Sequence, residues 1–192
     1  MPYLYFDVET CPLDKEGYLA KTEEERKKLI NPLDSRIVAI GVKTGDEKAK
    51  IIRLGSEEKM LAEFWNEVLK FRETYRNGKL VGFNVKDFDL PVLVTRSFIN
   101  NVKIVPFSIK EVVDLREKLS AFKFGNVRGK LKEFGELIGV ELYEGADGSK
   151  VAELCFAEEW KKIEEYLAKD IEITEAIHKR AVALRISEIE RW

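Results

Sequence analysis

Three stretches of this 192-residue sequence place acids where ordinary packing does not require them. The first is Asp7-Val8-Glu9, which ends the run Tyr3-Leu4-Tyr5-Phe6. Side chains of a β-strand alternate between faces, so Leu4, Phe6 and Val8 share one side while Tyr3, Tyr5, Asp7 and Glu9 share the other. In a central strand two such carboxylates repel each other unless they are protonated or neutralised by a cation, and hard divalent metals prefer oxygen ligands. The second stretch runs from Val81 to Pro91, in the order strand, polar turn, helix start, and contains Asn84, Asp87 and Asp89. In the third, Ile163, Tyr166, Asp170, Ile173 and Ile177 recur at three- and four-residue spacings, which puts Asp170 inside an apolar helical stripe with Tyr166 one turn earlier. A carboxylate buried there needs a partner, a proton or a metal.

Each stretch alone has a plain structural explanation. Asp7 and Glu9 suit the solvated face of an edge strand, Asp89 a helix N-cap, Asn84 a turn, and Asp170 the rim of a core. What matters is the order in which strands and helices would bring them together. Arg36–Thr44 and Lys48–Leu54 read as two further strands joined at Gly45-Asp46, an antiparallel hairpin beside the first. From Ser56 the period becomes helical, with Leu61, Phe64, Trp65, Val68 and Leu69 on one face. Lys79–Phe83 reads as a fourth strand, a helix starts near Asp89-Leu90-Pro91, and Glu111–Leu115 reads as a fifth strand. Helices are expected over Gly129–Ile138 and within Glu158–Glu190. The charged segment Asp14–Lys28 reads as one solvated helix in an insertion reaching Asp34, which stands where it could wall a substrate groove. The order β-β-β-α-β-α-β-α-α gives an α/β domain spanning 1–192, with a mixed five-stranded sheet and helices on both faces.

Composition sets the limits. Hydrophobic residues at 45% support a folded core, and 33 Lys+Arg against 35 Asp+Glu leave a net charge of −2, so no global basic field marks a polyanion partner. With the four acids Asp7, Glu9, Asp89 and Asp170 set aside, that −2 becomes +2 for the rest of the chain. No apolar run approaches the roughly 20 residues of a membrane span, so a soluble, cytoplasmic protein is expected. Cys11 and Cys155 have neither the number nor the spacing of a disulfide framework or a zinc knuckle, which favours reduced thiols in an intracellular setting. The segment Phe122-Lys123-Phe124-Gly125-Asn126-Val127-Arg128-Gly129-Lys130 interleaves aromatics and cations as single-strand-binding surfaces do, although it also reads as an ordinary loop entering a helix.

Together the three acidic stretches resemble the three motifs of the DEDD superfamily of 3′-to-5′ exonucleases, whose fold is ribonuclease-H-like. Asp7-Val8-Glu9-Thr10 is similar to the first motif, and Gly82-Phe83-Asn84-Val85-Lys86-Asp87-Phe88-Asp89-Leu90-Pro91 resembles the second as found in the proofreading domain of family B DNA polymerases. Tyr166-Leu167-Ala168-Lys169-Asp170 matches the Tyr-x-x-x-Asp pattern of the tyrosine subclass. Asp34–Gly41, Val112-Val113-Asp114-Leu115 and Lys130–Gly139 also have counterparts, so the likeness covers Tyr3 to about Ile177. The sole histidine, His178, follows Asp170 by eight residues, whereas the histidine subclass has its histidine five residues before the last aspartate. His178 is therefore expected on a helix surface or in packing.

The resemblance implies phosphodiester hydrolysis with two divalent ions, Mg2+ or Mn2+. Asp7, Glu9 and Asp170 would hold the ion that binds the attacking water, Asp7 would bridge to the second, and Asp89 would orient that ion through its water shell. Tyr166 would hydrogen-bond the water. Thr10, Asn84 and Phe88 would meet the strand, with Lys123, Phe124 and Arg128 as further candidates. The implied partner is a single-stranded nucleic acid with a free 3′ end, DNA favoured over RNA, and the product a nucleoside 5′-monophosphate. A chain of 192 residues has no room for a polymerase, so repair, end trimming or editing in trans is expected. An RNA-trimming enzyme and an inactive binding module on the same fold stay open, as does homo-oligomerisation.

Overall fold

The aromatic and β-branched run near the start of the chain forms β1 (Tyr3–Pro12), in which Thr10, Cys11 and Pro12 continue the strand beyond its expected end. In this computed structural model, which describes residues 2–123, 129–143 and 148–191, β1 is the central strand. β2 (Ser35–Thr44) pairs antiparallel with β1, and β3 (Lys50–Ile52) pairs antiparallel with β2. On the other side β4 (Lys79–Gly82) lies parallel to β1 and β5 (Val112–Asp114) parallel to β4. The order β3-β2-β1-β4-β5 is the expected mixed five-stranded sheet. Parallel neighbours need crossover connections, which here contain α3 (Glu57–Thr74) before β4 and α4 (Asp89–Ile99) before β5.

The alternation of β1 decides which helix meets which acid. Leu4, Phe6 and Val8 pack with Leu61, Phe64 and Val68 of α3 and Leu93 of α4. On the opposite face Tyr5, Val81 and Val113 pack with Ile171, Ile173 and Ile177 of α8 (Trp160–Ala183), flanked by Leu131 and Phe134 of α6 (Leu131–Leu137). Asp7 and Glu9 thus face the helix that carries Asp170. A register shift between Glu9 and Thr10 leaves Val38 of β2 without a partner on β1, a bulge of the kind that re-aims side chains beside functional sites.

Several expectations are corrected. The segment Asp14–Lys28 is two helices, α1 (Lys15–Leu19) and α2 (Glu23–Lys28), because Thr22 and Glu25 form a reciprocal capping box that starts a new helix. α5 (Leu115–Leu119) and α7 (Val151–Phe156) were not expected, being too short to show a helical period. The closing helix stops at Ala183, and Arg185 then turns left-handed at a φ of 62°. Cys11 and Cys155 are not reduced thiols but a disulfide with a Cα–Cα distance of 6.3 Å, joining the end of β1 to α7 across 144 residues. Only the tertiary fold brings these two together, which is why their spacing gave no sign of it. His178 is buried, and its Nδ1 lies 2.9 Å from the Tyr5 hydroxyl, so the packing role holds and the surface role does not.

The turn after β4 is fixed by a second buried acid. Asn84 takes a left-handed φ of 62°, a conformation that asparagine tolerates better than most residues. Asp114, at the end of β5, accepts from Asn84 N at 2.9 Å and Lys86 N at 3.0 Å, and also from Arg116 N and Glu117 N at the start of α5. Burial raises the Asp114 carboxyl while these four amides lower it. Gly82 closes the approach, since a Cβ there would lie 3.0 Å from the Phe6 carbonyl oxygen and 2.1 Å from a Val85 methyl. Asp114→Ala strands these amide donors and is expected to cost about 2–4 kcal/mol, whereas Asp114→Asn keeps one acceptor oxygen and costs about half as much. Urea unfolding at unchanged m-value measures both.

Candidate active site

β1 delivers Asp7, Glu9 and Thr10, the β4–α4 turn delivers Asn84, Phe88 and Asp89, and α8 delivers Tyr166 and Asp170. All eight line one cavity of about 560 Å³. Oxygens of Asp7, Glu9 and Asp170 all lie within 4.8 Å of one another. Asp89 joins the group from the side. It sits in the first turn of α4 without capping that helix, and its Oδ1 instead accepts from Val8 N at 2.9 Å. The N-cap explanation for Asp89 therefore fails: the carboxylate ties α4 to the strand that carries the other two acids.

Four carboxyls in so small a space cannot all ionise without compensation. Burial first, then the charges of Asp89, Glu9 and Asp170, push Asp7 well above the usual carboxylate range. Asp7 also shares a hydrogen bond with Asp89; both carboxyls are raised overall, but this bond raises Asp7 and lowers Asp89, as it does when Asp7 is the donor. Glu9 is raised by burial and by Asp170 and Asp89, with Lys132 of α6 as the opposing cation. Burial raises Asp170 to about 6 against the hydrogen bond from Tyr166 and the charge of Lys132, and raises Asp89 to about 7. Tyr166 is driven far upward by burial and by Glu9 and Asp170, which keeps it a hydroxyl donor at neutral pH.

The donor set suits a hard divalent cation. It is all oxygen, it is short of positive charge, and Asp170 Oδ1 is a buried acceptor without a hydrogen-bond partner among the described residues. A cation there would supply the ligand field that Asp170 lacks and relieve the repulsion that raises the four acids.

The sequence-derived strand contacts divide. Thr10, Asn84 and Phe88 line the cavity, with Asn84 Oδ1 accepting from Arg116 Nη1 at 3.0 Å and Phe88 packing at the edge of the α3–α4 core. Lys123 is exposed and does not line this cavity; it follows α5, which ends at Leu119, and the left-handed residues Ala121 and Phe122. Phe124 and Arg128 lie outside the described residues. The cavity also has walls that the sequence did not assign. From the segment Asp14–Asp34 come Tyr18, Arg26 and Lys27, with Arg26 over the Tyr18 ring at 5.0 Å. From the other side come Lys150 and Glu153, and Lys132 Nζ sits 4.5 Å from the centre of the Tyr166 ring. Nothing in the spacing of Lys132 separates it from 32 other cationic side chains.

Known proteins resemble this chain in sequence and in fold. An uncharacterized protein of Methanocaldococcus jannaschii is 37% identical over 160 residues, covering 78% of this chain and 88% of the relative. A family B DNA polymerase from the hyperthermophilic archaeon Pyrobaculum calidifontis superposes with a TM-score of 0.71 at 19% identity, over 97% of this chain. This chain spans 25% of that polymerase, so the likeness shows the shared fold, the ribonuclease-H-like sheet expected from the motifs. A family model described as a predicted 3′-5′ exonuclease related to the exonuclease domain of PolB matches residues 27–187. Because that match takes in most of the sequence, the chain belongs to the family of predicted 3′-5′ exonucleases related to the exonuclease domain of PolB.

Proposed function

We propose that residues 1–192 form one exonuclease domain that removes nucleotides from the 3′ end of single-stranded nucleic acid, DNA preferred, and releases nucleoside 5′-monophosphates. The observation that carries this reading is the convergence of Asp7, Glu9 and Asp170 oxygens within 4.8 Å at a cavity that Asp89 and Tyr166 also line. Hydrolysis adds a water oxygen to the terminal phosphorus and breaks its bond to the 3′ oxygen of the preceding nucleotide, which leaves with a proton. Asp7, Glu9 and Asp170 would hold one divalent cation, and Asp7 with Asp89 a second; Mg2+ or Mn2+ suits these ligands. Ions so held lower the pKa of a bound water and offset charge on the phosphate oxygens.

The protein's own groups set the geometry. Tyr166, held protonated by its surroundings, orients the water by hydrogen bonding and does not serve as its base. Asp89 fixes β1 against α4 through Val8 N, so the spacing of Asp7 to its partners survives strand binding. Thr10, Asn84 and Phe88 border the space for the terminal nucleotide, and Arg26 and Lys27 give it a cationic rim. The polymerase-like second motif and the polymerase fold support DNA over RNA. The intact set of four acids and a tyrosine supports an enzyme over a binding module.

A 5′-labelled DNA strand should shorten stepwise from its 3′ end with Mg2+ or Mn2+ and stay whole with chelator. Faster loss of a matched RNA strand would reverse the DNA preference. Asp7→Ala is expected to lower turnover by about 10³-fold or more while strand binding persists; turnover like that of the unaltered enzyme would refute the site. Tyr166→Phe removes one hydrogen bond to the attacking water and should slow kcat about 10- to 100-fold with little change in KM.

The raised acids also set a pH dependence of stability. Unfolded aspartates titrate near 3.8, while folded Asp170 and Asp89 titrate near 6 and 7, so in between the folded protein binds more protons and loses stability as pH rises. His178 acts oppositely: burial lowers it to about 4 from 6.5, so its stabilisation grows with pH mainly between these values, and above pH 6.5 only about 0.4 kcal/mol remains to be gained. In a metal-free thermal melt, Tm should therefore fall from about pH 6.5 to 8 on account of the carboxyls. Millimolar Mn2+ should abolish that fall, and a metal-free Tm that stays level or rises would contradict the electrostatic account.

A further inference from the structure

A second cavity, about 310 Å³, follows the outer edge of β5 and contains Lys79, Lys86, Lys110, Lys118 and Arg191 against two carboxylates, Glu117 and Glu190. Lys86 is paired with Glu117 at 2.6 Å, and Lys118 donates to the Ile189 carbonyl. Among the described residues, Lys79 and Lys110 form no ion pair, so their charge is free to meet an anion. Lys118 is lowered by burial and by the nearby charges of Lys79 and Lys86, against the opposing charges of Glu190 and Glu117. The cavity also holds a flat apolar surface, Phe122, with Lys118 Nζ 5.2 Å from its ring centre. Ala121 and Phe122 both take left-handed backbone, at φ 48° and 57°, a costly conformation for residues other than glycine, and it holds this ring at the groove.

The groove and the active-site cavity are linked by one turn. Asn84 lines the catalytic cavity, Lys86 lines the groove two residues later, and both hang by their amides from the Asp114 carboxylate. β4 and β5 run parallel, so Lys79, the first residue of β4, and Lys110, two residues before β5, lie at the far end from Asn84. Cations along a channel with an aromatic platform are the chemistry of a single nucleic-acid strand. We propose that the β5-edge groove is a second strand-binding subsite, in which Lys79, Lys110 and Lys118 contact phosphates upstream of the 3′ end and Phe122 stacks on a base. The proposal rests on the exonuclease reading and extends it to the length of substrate bound.

The test compares a trinucleotide with a DNA strand of about 12 nucleotides, using the unaltered protein, Lys79→Glu/Lys110→Glu and the milder Lys79→Gln/Lys110→Gln. For the longer strand at low salt, KM should rise about ten-fold in the Glu pair and less in the Gln pair, with kcat unchanged. In both pairs the slope of log affinity against log salt should shrink by about 0.7 per lost phosphate contact. Trinucleotide kinetics and Tm should stay as they are, because that substrate ends inside the catalytic cavity. Equal KM and equal salt slope for the long strand in all three proteins would overturn the subsite and leave the basic edge to a protein partner. If the unaltered protein cleaves neither substrate, the exonuclease reading itself fails, an outcome distinct from loss of the length effect alone.

Discussion

Everything in this structure answers to the repulsion among four carboxyls, Asp7, Glu9, Asp89 and Asp170, gathered from one strand and two helices. Such a group is unfavourable for folding and persists only because the surrounding packing determines it. β1 is anchored on one face by the Phe6–Phe64 core and on the other by Ile171 and its neighbours, so Asp7 and Glu9 cannot relax away from Asp170 without breaking both layers. Asp89 adds its hydrogen bond to Val8, and the disulfide holds the far end of β1 to α7. Stability is spent on holding charge in readiness for a cation.

A division of labour among the buried acids follows from their partners. Asp114 has four amide donors and acts as a strut for the turn between β4 and α4. Among the described residues Asp170 has the Tyr166 hydroxyl and one oxygen left over, and the side-chain partner of Asp7 is another acid, Asp89. Acids whose bonds are complete build the fold; acids whose bonds are incomplete form the site. His178, bonded to Tyr5 through Nδ1 and with its Nε2 buried without a hydrogen-bond partner among the described residues, sits among aromatic rings at a different cavity from the four acids.

Much of this was legible in the sequence because period and chemistry conflicted there. An acid at an apolar position of a helix, as at Asp170, or two on the inward face of a central strand, as at Asp7 and Glu9, cannot be explained by packing alone. The strands and long helices were legible for the related reason that their period repeats over enough residues. What stayed hidden was set by tertiary placement. Lys132 is one lysine among many until α6 lies across Tyr166, and the Cys11–Cys155 bond depends on a contact between β1 and α7. Asp89 read as a helix cap because its sequence position suits one, and only the neighbouring strand offered it a better donor.

If a divalent cation takes the place of protons shared among the four acids, its binding must release them. Titration of Mn2+ into the metal-free protein near pH 6.5, by calorimetry in buffers of different ionisation enthalpy, counts the protons released on binding. The account predicts saturable binding that releases protons, tightens as pH rises and is largely lost in Asp7→Asn. Binding without proton release, or binding of equal strength in Asp7→Asn, would contradict it.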